Sequence, residues 1–412
     1  MADPTSHLIE QIADVVADPA NVTAELRPAA ASTLADGLPG TALLLAVLSR
    51  SDPLFAGAAD RHWEAAARLL TSSAADGIYA GPGALAASLI LGSAYLPNGR
   101  VQLDAVTRAS AWLSARAEGL AAHQHQRLRD GRLGTPWAVY DTIKGLTGIG
   151  RVLLAAHQLG HQEAEPGLTA ALTTLTDMIT TPAGDLPGWW LATPDHALAT
   201  VSGVPDTGSA TTGAAHGIAG PLALLDTAHT YAVTVPGQRD AIETAARWLV
   251  AWSASGPSWP PHIPGRDLLH RPDPDRLSAI PGRRDAWCYG TPGVAAALHH
   301  AGRTLGDPSL THHARRALDL LAQRAPDSWD TDGPGLCHGT AGVLQAATRT
   351  GCVELAAQAA VRTITLHHQS AEAPQGLGFL TGRAGTALAL ADHHHSSEIS
   401  QLPTWDGLLL LA

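Results

Sequence analysis

The sequence is poor in cysteine, in lysine and in long apolar runs, and each shortage excludes a class of protein. Its 3 cysteines in 412 residues are too few, and odd in number, for a disulfide framework, which is typical of a reducing compartment. Lys144 is the only lysine and the formal net charge is -11, so nucleic acid is not expected as a partner. There is no run of about 18 apolar residues and no basic, apolar signal segment at Met1, so we expect a cytoplasmic protein without a membrane span.

A short glycine signature recurs along the chain. A glycine, a short spacer, a second glycine and an apolar run of helical length occur together seven times. Hydrophobic residues make up 45% of the sequence, which is enough for a large core. The seven glycine pairs are Gly37 and Gly40, Gly81 and Gly83, Gly145 and Gly148, Gly217 and Gly220, Gly290 and Gly293, Gly339 and Gly342, and Gly382 and Gly385.

The segments between these glycine turns alternate in their apolar pattern. The runs that follow the glycine pairs are apolar nearly all round, which is typical of a helix buried on most sides. Segments such as 60–70 and 239–250 are amphipathic and predict helices with one solvated face. We therefore predict an all-α fold, an α/α toroid in which seven inner helices are surrounded by seven outer helices. An open solenoid is the alternative.

Two long segments interrupt the helical pattern. Residues 181–215 contain many glycine, serine and threonine residues, and residues 253–286 are rich in proline. Because proline interrupts helices, we expect no helix in either insert. Loops of this length in a compact domain are often functional, so we expect substrate contacts on both.

Two of the three cysteines occupy equivalent places in two similar glycine turns. Cys288 and Cys337 each stand two residues before a glycine, and His338 follows Cys337 directly. Two thiolates and an imidazole form a ligand set that suits zinc, and three protein ligands leave the fourth tetrahedral position open. Neighbouring residues in a helix point about 100° apart, so Cys337 and His338 should lie on a turn that enters a helix. The alternative is two buried free cysteines beside a core histidine.

These three residues predict one Zn²⁺ per chain. The N-terminus of a helix next to the turn would also favour the thiolate form of cysteine. Cys352 has no companion ligand nearby, and we expect it to be a packed thiol.

Two further glycine turns carry polar side chains. His216 directly precedes a glycine pair, in the register that His338 also holds, and Asp141 lies shortly before the preceding pair. If the turns meet at one end of a ring, His216 could act as a general acid or base and Asp141 could orient it. A core histidine and a helix N-cap are the alternatives for these two residues.

Arg284 lies four residues before Cys288, close to the proposed ligands. Its guanidinium could stabilise an anion that develops during a reaction. A salt bridge with Asp285 would be the structural alternative.

Together these motifs resemble those of the lanthionine synthetase C-like family, the cyclases of lanthipeptide biosynthesis. The resemblance rests on Trp287-Cys288-Tyr289-Gly290, Cys337-His338-Gly339, Ala215-His216-Gly217, Tyr140-Asp141 and the seven glycine turns. It runs from Gly37 to the closing segment 405–410 and implies a single α/α-toroid catalytic domain over residues 1–412, with the two inserts as loops.

The resemblance also implies roles for individual residues. A zinc ion would be held by Cys288, Cys337 and His338, and the active site would include His216, Asp141, Arg284 and Tyr289. The implied reaction forms a carbon–sulfur bond and belongs to the lyase class: a zinc-bound cysteine thiolate adds to dehydroalanine or dehydrobutyrine in the same peptide and closes a (methyl)lanthionine ring. Arg284 would stabilise the enolate, and His216, held by Asp141, would supply its proton.

The implied partner is a dehydrated lanthipeptide precursor with its leader and core. A dehydratase and an exporter are expected in the same biosynthetic complex, which would associate the protein peripherally with a membrane. Because the sequence begins at Met1 without a long extension, we expect a stand-alone cyclase and not the C-terminal part of a bifunctional synthetase.

Three other functions share parts of this pattern. A protein prenyltransferase β-like subunit also combines zinc-activated thiols with an α/α barrel, but it would need a carboxylate ligand and a basic pocket. A toroidal glycosidase would need two facing carboxylates, and only Asp141 stands out. A non-catalytic relative that binds glutathione on zinc would use the same three ligands, so the sequence leaves that function open.

Overall fold

The computed structural model describes residues 4–24, 26–70, 77–96, 102–195, 206–369, 376–394 and 403–411. In these ranges the α-helices are α1 (Pro4–Val16), α2 (Pro19–Thr23), α3 (Pro28–Ala31), α4 (Leu38–Leu48), α5 (Leu54–Leu69), α6 (Gly81–Ser93), α7 (Leu103–Arg129), α8 (Trp137–Tyr140), α9 (Leu146–Gln158), α10 (Glu165–Thr180), α11 (Ala219–Thr230), α12 (Gln238–Ala251), α13 (Gly265–Leu268), α14 (Pro274–Ser278), α15 (Thr291–Leu305), α16 (Pro308–Ala322), α17 (Thr340–Arg349), α18 (Val353–Gln369) and α19 (Arg383–His394). Two short strands, β1 (Ser209–Thr211) and β2 (His262–Pro264), pair antiparallel.

The helices form two concentric rings. The inner ring consists of α4, α6, α9, α11, α15, α17 and α19, each of which contacts the next, and α19 closes the ring on α4. The outer helices are α1, α5, α7, α10, α12, α16 and α18, and each packs against one or two inner helices. The predicted α/α toroid of seven inner and seven outer helices is therefore confirmed for the described residues, and the open solenoid is wrong. The single-domain assignment of residues 1–412 stays a prediction.

The apolar pattern explains which helices lie inside. In the inner helix α4 every residue from Leu38 to Ala46 is buried. In the outer helix α16 the buried residues Leu310, Ala314, Ala317 and Leu321 recur every three or four positions, so one stripe faces the core and the rest meets solvent.

Backbone hydrogen bonds link all seven glycine turns into a closed circuit at one end of the toroid. In each neighbouring pair, an N–H just before one inner helix donates to a carbonyl oxygen just before another. The links run from Leu34 to Tyr79 (3.0 Å), Ile78 to Ile143 (3.2 Å), Thr142 to Ala215 (3.0 Å), Ala215 to Cys288 (3.2 Å), Cys288 to Cys337 (3.2 Å), Cys337 to Leu380 (2.9 Å) and Leu380 to Ala35 (2.9 Å). The residues before the glycines consequently lie next to those of the neighbouring turns, which was the condition for His216 and Asp141 to meet.

The two inserts are more ordered than the sequence predicted. The expectation of no helix in residues 253–286 is wrong, because α13 and α14 lie there. Pro274 occupies the first turn of α14, where its missing N–H costs nothing, and the carboxylate of Asp273 caps the helix. In the insert 181–215, the described residues include a 3-10 turn at Thr193–Asp195 and strand β1. Strand β1 pairs with β2 of the other insert, so the two segments meet.

The 3-10 helix Trp405–Leu409 near the C-terminus lies inside the inner ring. Trp405 and Leu409 are buried, and the carbonyl oxygen of Leu409 accepts a hydrogen bond from the indole nitrogen of Trp287 at 2.7 Å. Asp406 is fully buried and forms an ion pair with Arg349 of α17. These contacts come from separate parts of the ring, so the segment fills its interior. No described helix is both long and apolar enough to cross a bilayer.

Candidate metal centre and active site

Two adjacent glycine turns bring the two cysteines together. Cys288 stands before α15 and Cys337 before α17, and the backbone N–H of Cys288 donates to the carbonyl oxygen of Cys337 at 3.2 Å. Because both residues precede the first helical residue by three positions, equivalent positions of neighbouring turns place both thiols on the same side. Cys337 and His338 lie on the turn that enters α17, as predicted from their spacing.

Cys288, Cys337 and His338 fit a zinc ion. Their ligand atoms all lie within 4.8 Å of one another, and the described residues contain no other group of three such donors. The Cys288 sulfur is 3.5 Å from Nδ1 of His338. A tetrahedral zinc ion, with bonds of about 2.3 Å to sulfur and about 2.0 Å to nitrogen, would hold these two atoms about 3.5 Å apart. Cys288 is buried, whereas Cys337 and His338 are half-buried, so the group can be reached from solvent.

The two thiols differ in acidity. Hydrogen bonds from Cys337 and His338 lower the pKa of Cys288 to about 5, although burial opposes this shift. A hydrogen bond to Cys288 and burial raise the pKa of Cys337. The turn therefore already favours one thiolate, which is the form that binds a metal ion.

The glycines of these turns are required by close backbone contacts. Gly290 has a φ of 135°, and a Cβ there would lie 1.8 Å from the carbonyl oxygen of Arg284. A Cβ at Gly293 would lie 2.1 Å from the carbonyl oxygen of Trp287, and one at Gly342 would lie 2.1 Å from that of Leu336. The glycine pairs thus allow each turn to fold tightly enough to point its preceding residues at the neighbouring turn.

His216 and Asp141 form a hydrogen-bonded pair across the third and fourth turns. Nδ1 of His216 lies 2.5 Å from Oδ2 of Asp141, which is 1% exposed. Oδ1 of the same carboxylate accepts the backbone N–H groups of Lys144 at 2.7 Å and Gly145 at 2.9 Å. Asp141 therefore both caps its turn and orients the histidine. Since the carboxylate accepts from Nδ1–H, Nε2 is the nitrogen that can exchange a proton with a substrate.

The backbone carbonyl of His216 accepts hydrogen bonds from two hydroxyl groups. Its carbonyl oxygen accepts the hydroxyl of Thr211 at 2.7 Å and that of Tyr140 at 3.0 Å. The indole nitrogen of Trp137 donates to the Thr211 hydroxyl at 3.3 Å. Strand β1, which contains Thr211, therefore anchors the turn that presents the histidine.

Aromatic rings surround His216. Trp137 stacks on it with ring centroids 4.9 Å apart, and the ring centroid of Tyr289 lies 5.9 Å from that of His216. The Tyr289 hydroxyl is buried and has no hydrogen-bond partner in the described part of the chain. Burial raises the pKa of this phenol, so it stays protonated and can act only as a neutral donor or acceptor. Because Tyr289 follows Cys288 directly and its ring contacts His216, it links the metal-binding candidates with the His216 pair.

Arg284 lies near Cys288, and its guanidinium pairs with two carboxylates of the loop between α16 and α17. Its guanidinium is 2.9 Å from Asp332 and 3.6 Å from Asp330. The alternative of a salt bridge with Asp285 is wrong, because Asp285 pairs instead with Arg324 at 2.9 Å. The hydrogen bond with Arg284 lowers the pKa of Asp332. Arg284 thus brings a positive charge close to the thiols, but that charge is shared with two partly exposed carboxylates.

Sequence reasoning did not find Trp137, Thr211 and His262, which all contact the site. Trp137 lies four residues before Asp141, and that spacing was the only available signal. Thr211 and His262 come from the two inserts and reach the site only because β1 and β2 pair. Cys352, predicted to be a packed thiol, is 2% exposed and lies outside the metal group.

Comparisons with known proteins agree with this arrangement. The nisin biosynthesis protein NisC of Lactococcus lactis subsp. lactis is 24% identical over 209 residues, which are 50% of this chain and 48% of that relative, so the match spans about half its length. The solved structure of a nisin cyclase has the same fold, with a TM-score of 0.76 and 20% identity, over 99% of this chain and 96% of that one. The model of the family described as lanthionine synthetase C-like protein matches residues 28–410. That range takes in all seven glycine turns and the three metal-binding candidates, and it shows that the chain belongs to the lanthionine synthetase C-like family.

Proposed function

We propose that this protein is a zinc-dependent lanthipeptide cyclase. Its substrate would be a dehydrated precursor peptide with leader and core, in which cysteine thiols add to dehydroalanine or dehydrobutyrine residues. The observation that carries the proposal is the convergence of a Cys288, Cys337 and His338 donor group with the His216–Asp141 pair on neighbouring turns. Family membership and the names of the similar proteins support it.

The donor group would activate the nucleophile. A zinc ion held there would lower the pKa of the substrate thiol, so that its sulfur is nucleophilic at neutral pH. Hydrogen bonds with Cys337 and His338 hold Cys288 ready as a thiolate, and the half-buried Cys337 and His338 leave the peptide access.

The residues of the neighbouring turns would complete the addition. The sulfur forms a bond to the β-carbon of the dehydro residue, the double-bond electrons move to an enolate, and the α-carbon then takes a proton. His216 would deliver that proton from Nε2, while Asp141 stabilises the imidazolium through Nδ1. The thiol loses one proton and the α-carbon gains one, so no oxidant or reductant is needed.

The enolate oxygen needs a hydrogen-bond donor or a positive charge. The Tyr289 ring lies 5.9 Å from that of His216, and its buried hydroxyl has no hydrogen-bond partner in the described chain, which leaves it free to donate. Arg284 adds positive charge, which Asp332 and Asp330 partly offset. We therefore assign the hydrogen bond to Tyr289 and a longer-range electrostatic contribution to Arg284.

The other functions fit less well. A thiol-binding protein without catalysis would need the three metal ligands but has no use for a buried carboxylate that orients a histidine next to them. A prenyltransferase-like enzyme would need a carboxylate ligand, and the donor group of the described residues has none. A complex with a dehydratase and an exporter, and a cytoplasmic location, stay predictions.

Incubation of the zinc-loaded protein with a dehydrated precursor peptide tests the proposal. Free thiols should disappear as rings form, which alkylation and mass spectrometry can count, and the ring pattern should be uniform. Since such additions also occur slowly unaided, the control is the same peptide with the Cys337→Ala variant. Thiol loss at the same rate in both samples would refute a cyclase function.

A further inference from the structure

The two inserts place a second histidine at the site. In the antiparallel pairing of β1 and β2, His262 lies opposite Thr211, the residue that holds the turn of His216. The hydroxyl of Thr212 also donates to the carbonyl oxygen of Pro260 at 2.7 Å, which fixes the second insert against the fourth turn. The only sheet of the described chain thus has a local effect: it holds His262 beside the catalytic candidates.

Four rings at this point form a closed circuit of contacts. His262 lies 6.1 Å from Trp137 and 6.0 Å from Tyr289, measured between ring centroids. His216 contacts the same two rings at 4.9 Å and 5.9 Å. The planes of Trp137 and His262 differ by 21°, and those of Trp137 and His216 by 23°. Both imidazoles therefore lie nearly parallel to the indole.

The circuit has a buried floor and an accessible rim. Trp137 is 4% exposed, whereas His216, Tyr289 and His262 are half-buried. A ligand that reaches the site from solvent would consequently meet the three half-buried rings, with the metal ligand Cys288 one residue from Tyr289.

A surface of this kind suits a flat, conjugated group. Aromatic rings attract planar π systems through stacked or tilted contacts. A dehydroalanine or dehydrobutyrine residue is planar, because its double bond is conjugated with the carbonyl group. After the addition its α-carbon is tetrahedral, and the flat surface is lost.

We propose that His262, Tyr289 and Trp137 form a subsite that binds the dehydro residue by its flat face and discriminates against saturated residues. His262 is the outer ring of this subsite and contacts the substrate. The subsite would hold the acceptor next to Nε2 of His216 and release it once the ring has closed. This inference rests on the proposed cyclase function and adds the recognition of the acceptor to it.

Two small probes that differ only in the double bond test this subsite. N-acetyl-dehydrobutyrine methylamide is flat, and N-acetyl-2-aminobutyric acid methylamide is its saturated counterpart. Each is titrated as an inhibitor of ring closure, and its binding to the zinc-loaded protein is also measured by saturation-transfer NMR. We expect the flat probe to bind about 3- to 10-fold more tightly than the saturated one.

Variants of His262 test whether its ring causes the preference for the flat probe. His262→Ala should abolish the preference for the flat probe, whereas His262→Phe, which keeps a ring, should retain it. The matched control is His313→Ala, since His313 also contacts a tryptophan, Trp259, at 5.9 Å but lies on the outer helix α16. Zinc content and melting temperature verify that each variant is folded.

The outcomes separate the subsite from the reaction. Equal binding of both probes by the parent protein, or an unchanged preference in His262→Ala, would overturn the subsite even if rings close normally. Selective binding of the flat probe that depends on His262, in a protein that closes no rings, would support the subsite and refute the cyclase function.

Discussion

The sixth and seventh glycine turns have similar backbone contacts but carry different side chains. A Cβ at Gly339 would lie 2.4 Å from backbone atoms of Gly335, and one at Gly382 would lie 2.4 Å from backbone atoms of Gly376 and Gly378. Both turns donate a backbone hydrogen bond to their neighbour, from Cys337 and from Leu380. The glycines are thus required by the toroid, whereas the one or two residues before them decide whether a turn offers donors for a metal ion.

The largest effect is expected when the sixth turn loses its thiol, because the thiol is one of the groups that distinguish it from the seventh turn. Cys337→Ala should reduce the zinc content from one per chain to nearly zero and ring closure to the uncatalysed rate, because Cys288 and His338 alone are a poor zinc site. Elemental analysis and thiol counting measure both. Cys352→Ala is the control, since that buried thiol is outside the group; zinc retained in Cys337→Ala would contradict the site.

The next effect separates proton transfer from metal binding. His216→Ala should keep its full zinc content while ring closure slows by about 10²- to 10⁴-fold, the usual loss for a general acid or base. Single-turnover rates on a dehydrated peptide provide the measurement. A variant that closes rings at the parent rate would remove His216 from the mechanism, and one that loses zinc would make it a metal ligand.

A matched pair of substitutions sharpens the comparison of the two turns. His338 and Thr381 hold the same register, directly before Gly339 and Gly382. His338→Ala should weaken zinc binding by more than about 100-fold, since loss of even an outer-shell partner costs about 10- to 100-fold. Thr381→Ala should leave zinc affinity unchanged. Competition with a chromogenic chelator measures both, and similar affinities would argue against His338 as a ligand.

A smaller effect is expected at the residue that orients His216. Asp141→Asn keeps an oxygen that can accept the backbone N–H groups of Lys144 and Gly145 but loses the charge that stabilises an imidazolium. Ring closure should slow by less than the about 10²- to 10⁴-fold expected for loss of the general acid itself, because His216 stays in place. The zinc content should not change. A rate equal to that of the parent would limit Asp141 to its capping role.

The smallest effect concerns the glycine scaffold itself. Gly342→Ala would place a Cβ 2.1 Å from the carbonyl oxygen of Leu336 and should lower the free energy of unfolding by about 1–3 kcal/mol. Gly119→Ala, on the outer helix α7 with open space around it, should raise it by about 0.5–1 kcal/mol. Denaturant unfolding of both variants compares them. Equal effects would show that the second glycine of a pair is not needed for packing.

Local sequence determined much of this protein. The glycine pairs fix where inner helices begin, and the alternation of fully apolar and amphipathic runs identifies inner and outer helices, because both signals act within a few residues. Equivalent positions before Gly290 and Gly339 also identified Cys288, Cys337 and His338, since a repeated turn repeats the direction of its side chains.

Only the tertiary structure decided which distant residues meet. The contact of α19 with α4, which closes the toroid, and the pairing of β1 with β2 both join segments far apart in sequence. No local pattern therefore predicts that His262 reaches Trp137 and Tyr289. The partners of Arg284 are a similar case: the adjacent Asp285 was the obvious candidate, but the fold directs that carboxylate to Arg324 and brings Asp332 to Arg284. The sequence by itself determined the repeated scaffold and the three residues that could hold a metal ion, whereas the surroundings of the candidate active site depend on contacts that form only when the toroid closes.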